Sequence, residues 1–201
     1  MFWPRVAKFL LWLGRWTPVG PRPCVDKAVI IGAPHTSNWD GYWLLVYKVA
    51  YGVDVKFFVK KQMFWFPMNI LLNGMGGVPL DRVDSRSAVR QAVDAFNAND
   101  KFLFGLAPEG TRSKTKTWKS GFYRIAEEAG VPVIFGFFDY PNKRLGFGPR
   151  MTLTGDVEAD MQIIRSFYET VGGQSPEKMG PVQMKVQRTK SGRRREQADD
   201  S

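Results

Sequence analysis

The 201-residue sequence predicts an α/β domain, an αβα sandwich with a largely parallel central sheet, preceded by an N-terminal amphipathic helix. Short apolar segments rich in β-branched and aromatic residues alternate with longer segments whose apolar residues recur at helical spacing. This alternation is typical of a parallel sheet covered by helices. The length suits one domain with a sizeable core, and a hydrophobic content of 44% excludes a disordered protein.

The predicted strands and helices follow one another from residue 27 to residue 171 without an internal repeat. Predicted strands cover residues 27–33, 53–59, 76–80, 102–106 and 131–138, with two shorter strands near residue 145 and at 151–154. Predicted helices cover residues 37–51, 85–97, 119–129 and 157–171.

The first residues of the chain form an amphipathic pattern. At helical spacing, residues 2–16 separate into an apolar face and a basic side. The apolar face carries Phe2, Val6, Phe9, Leu10, Leu13 and Trp16, and the basic residues are Arg5, Lys8 and Arg15. Aromatic rings together with cations favour a helix that lies in a membrane interface, and the alternative is a helix that only caps the core.

Charge is concentrated at the two ends of the chain. The formal net charge is +10, and more than half of the excess lies in residues 1–27 and 176–201. Such a charge attracts anionic membranes, phosphorylated ligands or nucleic acid, although solubility alone also explains it. The predicted organisation is an interfacial helix at 1–20, the α/β domain at 21–172, and a basic, disordered tail at 173–201.

Several classes of protein are excluded by composition. The single Cys24 rules out an internal disulfide, and no cysteine is placed to share a metal with the single His35. No apolar run reaches the roughly 18 residues that a membrane-spanning helix needs. No small-residue cleavage site follows the apolar N-terminus, which argues against a secretory signal. A reducing compartment and no bound metal are therefore expected.

The first chemistry-bearing stretch is H-T-S-N-W-D, residues 35–40. Ser37 and Asp40 have the spacing of a capping box, so a helix that begins here places Asp40 in its first turn and His35 in the preceding loop. From that loop the imidazole can fold back onto the carboxylate. Asp40 would then hold one ring nitrogen and leave the other free as a base. The alternative is a carboxylate that only caps the helix.

Two further stretches carry cations beside glycines. Arg82 follows the Gly76–Gly77 turn and a short predicted strand, where a surface ion pair is the simpler explanation. The loop A-P-E-G-T-R-S-K, residues 107–114, directly follows an apolar strand, where ligands bind in α/β proteins. Arg112 offers a planar fork suited to phosphate or carboxylate, and Glu109 is expected to anchor Arg112 or contact a hydroxyl.

Taken in order, these stretches resemble the motifs of the glycerophospholipid acyltransferase family, whose best-known members are the bacterial 1-acylglycerol-3-phosphate acyltransferases. His35 to Asp40 is similar to its H-x-x-x-x-D box, Arg82 to the end of its second motif, and Pro108 to Ser113 to its P-E-G-T-R-S motif. Residues 131–134 resemble its V-P-[VI]-x strand. Pro34 and Ala107 depart from the usual residues, which leaves the acceptor open.

The resemblance implies acyl transfer from acyl-CoA or acyl carrier protein to a hydroxyl of a lysophospholipid-type acceptor, 1-acylglycerol 3-phosphate above all. His35 is the implied general base and Asp40 its partner, with no cofactor and no metal. Apolar residues 63–72 either guide the acyl chain or belong to the core. The implied substrate-binding residues are Arg82, Glu109, Gly110, Thr111 and Arg112, with Lys60 and Lys61 as weaker candidates.

Some questions stay open at this level. Glycerol 3-phosphate and amino-acid-based lysolipids remain alternative acceptors, and acyl chain preference and oligomeric state are not indicated. The expected partners are an anionic membrane surface, the acceptor and the thioester, without nucleic acid, for a peripheral protein on the cytoplasmic face of the inner membrane. The rival hypothesis is a non-catalytic module that binds membrane or nucleic acid, but such a module has no need of the His35–Asp40 spacing.

Overall fold

A computed structural model describes residues 2–20, 22–80 and 85–184. In these residues seven strands form one sheet in the order β1-β7-β6-β2-β5-β3-β4, with six α-helices around it. The strands are β1 (Thr17–Val19), β2 (Lys27–Gly32), β3 (Val55–Lys60), β4 (Gly77–Leu80), β5 (Phe102–Leu106), β6 (Val133–Asp139) and β7 (Arg144–Met151). The helices are α1 (Trp3–Leu13), α2 (Asn38–Tyr51), α3 (Met68–Met75), α4 (Ser85–Ala98), α5 (Gly121–Ala129) and α6 (Val157–Tyr168).

The five strands β2 to β6 are mutually parallel, which confirms the predicted fold class. Their carboxyl ends therefore meet at one edge of the sheet, here called the carboxyl edge. The loops after β2, β3, β5 and β6 all leave the sheet there, and such an edge is where ligands bind in open α/β sheets.

The part of the sheet beyond β6 differs from the prediction. A single strand, β7, replaces the two short strands expected near residues 145 and 151–154, and it runs antiparallel to β6. The proline-rich segment after the first helix contributes β1, which pairs with β7. Gly146 makes this pairing possible, because a Cβ there would lie 2.0 Å from the carbonyl oxygen of Val19. The alternation of apolar and polar segments could not predict β1, because this edge strand is only three residues long.

The core has one part on each face of the sheet. On one face α4, α5 and α6 pack on the strands through side chains such as Phe96, Phe122 and Ile164, each at most 1% exposed. On the other face α1 and α2 cover the sheet, with Leu11 and Tyr47 among the buried residues. The two parts make the layers of the predicted αβα sandwich.

The N-terminal helix is present, and Phe2, Phe9 and Leu13 of its predicted apolar face are exposed, whereas Trp16 is not. Leu11 faces the core, and Trp16, predicted to lie on the apolar outer face, is only 4% exposed because it follows the helix and packs beneath it. The exposed side chains of α1 include Phe2, Trp3, Phe9, Trp12 and Leu13. Within the described residues, none of the helices is long and apolar enough to span a bilayer.

Residues 173–184, which the sequence assigned to a disordered tail, pack against the loops of the carboxyl edge. The Ser175 amide donates to Thr36 Oγ1 at 3.2 Å, and the Trp118 amide donates to the carbonyl oxygen of Gln183 at 2.7 Å. These contacts satisfy backbone groups, which the polarity of a segment does not reveal. Residues 185–201 lie outside the described residues.

Buried Asp160 joins α6 to the rest of the domain, and we expect its loss to destabilise the fold. It accepts hydrogen bonds from the Tyr123 hydroxyl at 2.8 Å and from both the amide and the hydroxyl of Thr154. Asp160→Ala leaves the buried Tyr123 hydroxyl without its partner and removes both hydrogen bonds from Thr154, so urea denaturation should show a loss of about 2–4 kcal/mol. Exposed Asp100→Ala should change the free energy of unfolding by less than about 0.5 kcal/mol. Equal values for the two variants would contradict this role.

Candidate active site

The site begins with a histidine–aspartate pair in the loop between β2 and α2. Ser37 caps α2, and Asp40 in the first turn completes the predicted capping box. His35 lies just before the cap, and its Nδ1 is 3.0 Å from Asp40 Oδ2. With Nδ1 engaged by the carboxylate, Nε2 is the ring nitrogen that remains for chemistry.

Asp40 is held from several directions although it is only 3% exposed. Its Oδ2 also accepts from the amides of Thr36 and Ser37, each at 3.0 Å. Its Oδ1 accepts from the Tyr140 hydroxyl at 2.8 Å. A buried carboxylate with this many donors is held in one orientation, which an imidazole partner requires.

Tyr140 is a site residue that the sequence analysis missed, because it lies 100 positions from Asp40 in a turn without a recognisable motif. Burial and the hydrogen bond to Asp40 raise the pKa of its hydroxyl, so the hydroxyl stays protonated and donates. Its ring packs edge-on against Trp16, with centroids 4.9 Å apart. The segment after α1 therefore supports the tyrosine that supports Asp40.

Glu109 faces inward, and its hydrogen bond is to the backbone of His35 rather than to Arg112. Its Oε1 accepts a hydrogen bond from the His35 amide at 3.0 Å, so it fixes the backbone of the histidine. Burial raises the pKa of its carboxyl group. Its Oε2 is buried without a hydrogen-bond partner among the described residues, beside a cavity of about 20 Å³ that is large enough for one water molecule.

The loop after β5 brings its remaining residues to the surface beside the dyad. Gly110 has a φ of +64°, and a Cβ there would lie 2.6 Å from the Lys119 side chain, so this turn favours glycine. Thr111 accepts from the Ser113 amide at 3.2 Å and shapes the turn. Arg112 and Lys119 are exposed cations on this loop, and Lys119 is a second residue that the sequence analysis did not single out.

Two other predicted cations are also exposed. Lys60 ends β3 and Lys61 starts a 3₁₀ turn, both at the carboxyl edge. Neither of them lines the cavity at His35, and Arg112 does not line it either. Arg82 lies outside the described residues.

A cavity of about 1150 Å³ opens at the dyad. Its polar part includes His35, Asp40, Gly110 and Lys119. Its remaining lining is largely apolar and comes from both faces of the sheet, with Leu44 and Phe57 on the side of α2 and Phe58 and Phe104 on the side of α4. The arrangement combines a candidate base, a cation and an apolar space, which suits a substrate with both an anionic and a hydrocarbon part.

Residues 63–72 fit neither role that the sequence offered for them. None of them lines this cavity, and of the ten only Leu72 is buried. Most of their apolar side chains face solvent. No group of three or more His, Cys, Asp or Glu side chains suited to a metal ion occurs in the described ranges 2–20, 22–80 and 85–184.

Comparisons with known proteins agree with this geometry. The acyltransferase family model matches residues 19–134, a range that includes the dyad and the loop after β5. The fold is similar to the crystal structure of the 1-acyl-sn-glycerophosphate (LPA) acyltransferase PlsC from Thermotoga maritima, with a TM-score of 0.56. That match has 18% sequence identity and covers 84% of this chain and 76% of the other. No curated protein matches the sequence.

The single histidine makes the dyad directly observable by NMR. We expect ¹⁵N shifts of neutral His35 to show the Nδ1–H tautomer, because Asp40 accepts that proton. Asp40→Ala should convert it to the Nε2–H tautomer, which is the common form of a free imidazole. Tyr140→Phe is the matched control, since it leaves the Asp40 carboxylate in place. An Nε2–H tautomer in the unmodified chain would contradict the arrangement.

Proposed function

The chain belongs to the acyltransferase family, and from this premise we propose that it transfers a fatty acyl group from an acyl thioester to a hydroxyl of a lysophospholipid-type acceptor. The observation that carries the proposal is the His35–Asp40 pair at the mouth of a cavity with a polar and an apolar part. The first acceptor to consider is 1-acylglycerol 3-phosphate, which the name of the similar Thermotoga protein also suggests.

The proposed reaction is direct transfer by general base catalysis. His35 Nε2 takes the proton of the acceptor hydroxyl as the oxygen attacks the thioester carbonyl carbon. The C–S bond then breaks, and the imidazolium returns its proton to the departing thiolate. The Asp40 carboxylate stabilises the imidazolium and holds the ring, so its burial and its hydrogen bonds serve the chemistry directly. No residue needs to form a covalent intermediate.

The anionic part of the acceptor is proposed to contact the loop after β5. Arg112 supplies a planar guanidinium for two phosphate oxygens, and Lys119 lies beside Gly110 at the cavity mouth. Arg82 belongs to the same proposed set. The apolar lining at Phe58 and Phe104, whose rings are in contact, suits a hydrocarbon chain. Acyl-CoA and acyl carrier protein both remain candidate donors, and glycerol 3-phosphate and amino-acid-based lysolipids remain alternative acceptors.

Peripheral association with an anionic membrane surface, on the cytoplasmic face of the inner membrane, is part of the proposal. Helix α1 exposes Phe9, Trp12 and Leu13 next to Arg5 and Lys8. Large apolar side chains beside cations favour the interface of an anionic bilayer. A lipid acceptor and a lipid product would be exchanged at that surface.

The proposed base can be tested by substitution. His35→Ala should lower kcat by about 10²- to 10⁴-fold while KM changes little, because the general base acts in the transition state. Steady-state kinetics with an acyl thioester and 1-acylglycerol 3-phosphate measures both constants, and thermal melting checks folding. Exposed Cys24→Ser is the control and should retain full turnover. Near-normal turnover by His35→Ala would exclude the mechanism.

The proposed phosphate contact can be tested by comparing two acceptors. Arg112→Ala should lower kcat/KM for a phosphate-bearing acceptor by about ten- to a hundredfold, the value of one charge-assisted hydrogen bond. A phosphate-free monoacylglycerol should be affected much less. Lys114→Ala, on the same exposed loop, is the matched control and should have a smaller effect. Equal losses for the two acceptors would indicate a structural role for Arg112.

A further inference from the structure

A second apolar surface lies at the carboxyl edge, beside β3 and β4. These strands are at the opposite end of the sheet from β1, the strand that follows α1. The crossover segment, defined here as residues 61–75 between β3 and β4, exposes Trp65 by 59% and Phe66 by 77%. Met63, Ile70 and Leu71 are exposed beside them. Apolar side chains this large, contiguous in sequence and open to solvent, mark a contact surface rather than a core.

The topology places three exposed apolar groups around the opening of the active site. The crossover segment leaves the carboxyl edge after β3, just as the loop bearing His35 leaves it after β2. Helix α2 starts at this edge and exposes Trp39 and Tyr42 in its first turns. Helix α1 ends there, because β1 begins opposite the start of β7. Trp12 and Leu13 lie at that end of α1.

The charge around this edge is positive. The sequence contains no Asp or Glu from residue 60 to residue 80, and Lys60 and Lys61 introduce the crossover segment. In the loop after β5 the one carboxylate, Glu109, is buried, whereas its four cations are exposed. These four are Arg112, Lys114, Lys116 and Lys119. A cationic rim around exposed aromatic rings complements an anionic lipid surface.

We propose that the crossover segment is a second membrane-binding element, which together with the end of α1 and the start of α2 seats the carboxyl edge on an anionic bilayer. Bound in this way, the protein presents the opening at His35 to the lipid surface, and α1 alone does not determine its orientation. This inference rests on the proposed function, which supplies the reason for a lipid substrate. An acidic carrier protein would need the cations but not two adjacent, largely exposed aromatic rings, so the bilayer is the favoured occupant.

Vesicle sedimentation of the full chain, without substrate, tests the proposal. The vesicles contain phosphatidylcholine and phosphatidylglycerol in equal amounts, or phosphatidylcholine alone. Trp65→Ser with Phe66→Ser should lower the partition coefficient on anionic vesicles by about tenfold or more, because two inserted side chains are lost. Trp12→Ser with Leu13→Ser should have a similar effect. Combining the two pairs should reduce binding to background.

Exposed Ile163 on α6, on the opposite face of the sheet from α1, provides the matched control. Ile163→Ser removes a comparably exposed apolar side chain and should bind vesicles like the unmodified chain. Thermal melting confirms that each variant is folded. Unchanged vesicle binding by the Trp65 and Phe66 variant would overturn the proposal and leave α1 as the anchor. If the Trp65 and Phe66 variant still binds vesicles but no longer binds acyl carrier protein, the proposal is also overturned, and the crossover segment is a docking surface for the donor.

The outcome is independent of the proposed activity. Vesicle binding needs neither a thioester nor an acceptor, so a chain that binds as expected but shows no acyl transfer would refute the proposed function alone. If the chain transfers acyl groups to a dispersed acceptor, but its vesicle binding is unchanged when Trp65 and Phe66 are replaced, only this inference is refuted.

Discussion

The carboxylate of Asp40 is the interaction on which the site and much of the surrounding fold depend. Its two oxygens accept from the His35 ring, two loop amides and the Tyr140 hydroxyl. A buried charge is stable only when it is satisfied in this way. The donors come from the loop after β2, the start of α2 and the turn after β6, so one side chain ties three segments together. Because the capping of α2 and the orientation of His35 use the same oxygen, the helix cannot begin elsewhere without releasing the imidazole.

The hydrogen bond from Tyr140 extends this dependence to the N-terminus. Trp16 packs against Tyr140 and against Trp43, whose ring in turn contacts Tyr42. Tyr42 contacts the exposed Trp39. A row of five aromatic rings therefore runs from the surface of α2 to the residue that holds Asp40, and it includes the residue that follows α1. Close-packed interiors have low compressibility and transmit strain, so the position of α1 and the geometry of the dyad are coupled through these rings.

The sequence predicted the parts of this molecule that local patterns determine. The capping spacing of Ser37 and Asp40 placed the dyad correctly, since both residues act within one helical turn. The alternating apolar segments predicted the parallel sheet and its helices. Contacts between distant segments left no such signal: Tyr140 reaches Asp40 across 100 residues, and Glu109 reaches the His35 amide across 74. The orientation of residues 63–72 was equally hidden, because an apolar run has the same composition whether it faces a core, a cavity or a bilayer.

The structure shows that most of these apolar side chains are exposed, and the membrane-binding proposal rests on where they lie. An apolar residue left in water lowers solubility and contributes nothing to the core, so a surface that concentrates several of them needs a partner. Here they gather at the same edge as the dyad and the exposed cations, while the exposed face of α6 offers only the isolated Ile163. An acceptor with a phosphate and a hydrocarbon chain has the same two-part character as this edge. The proposed lipid substrate, entering from a membrane surface, would account for the cations, the apolar cavity and the aromatic rim together, whereas each would need a separate reason in a protein acting on soluble molecules.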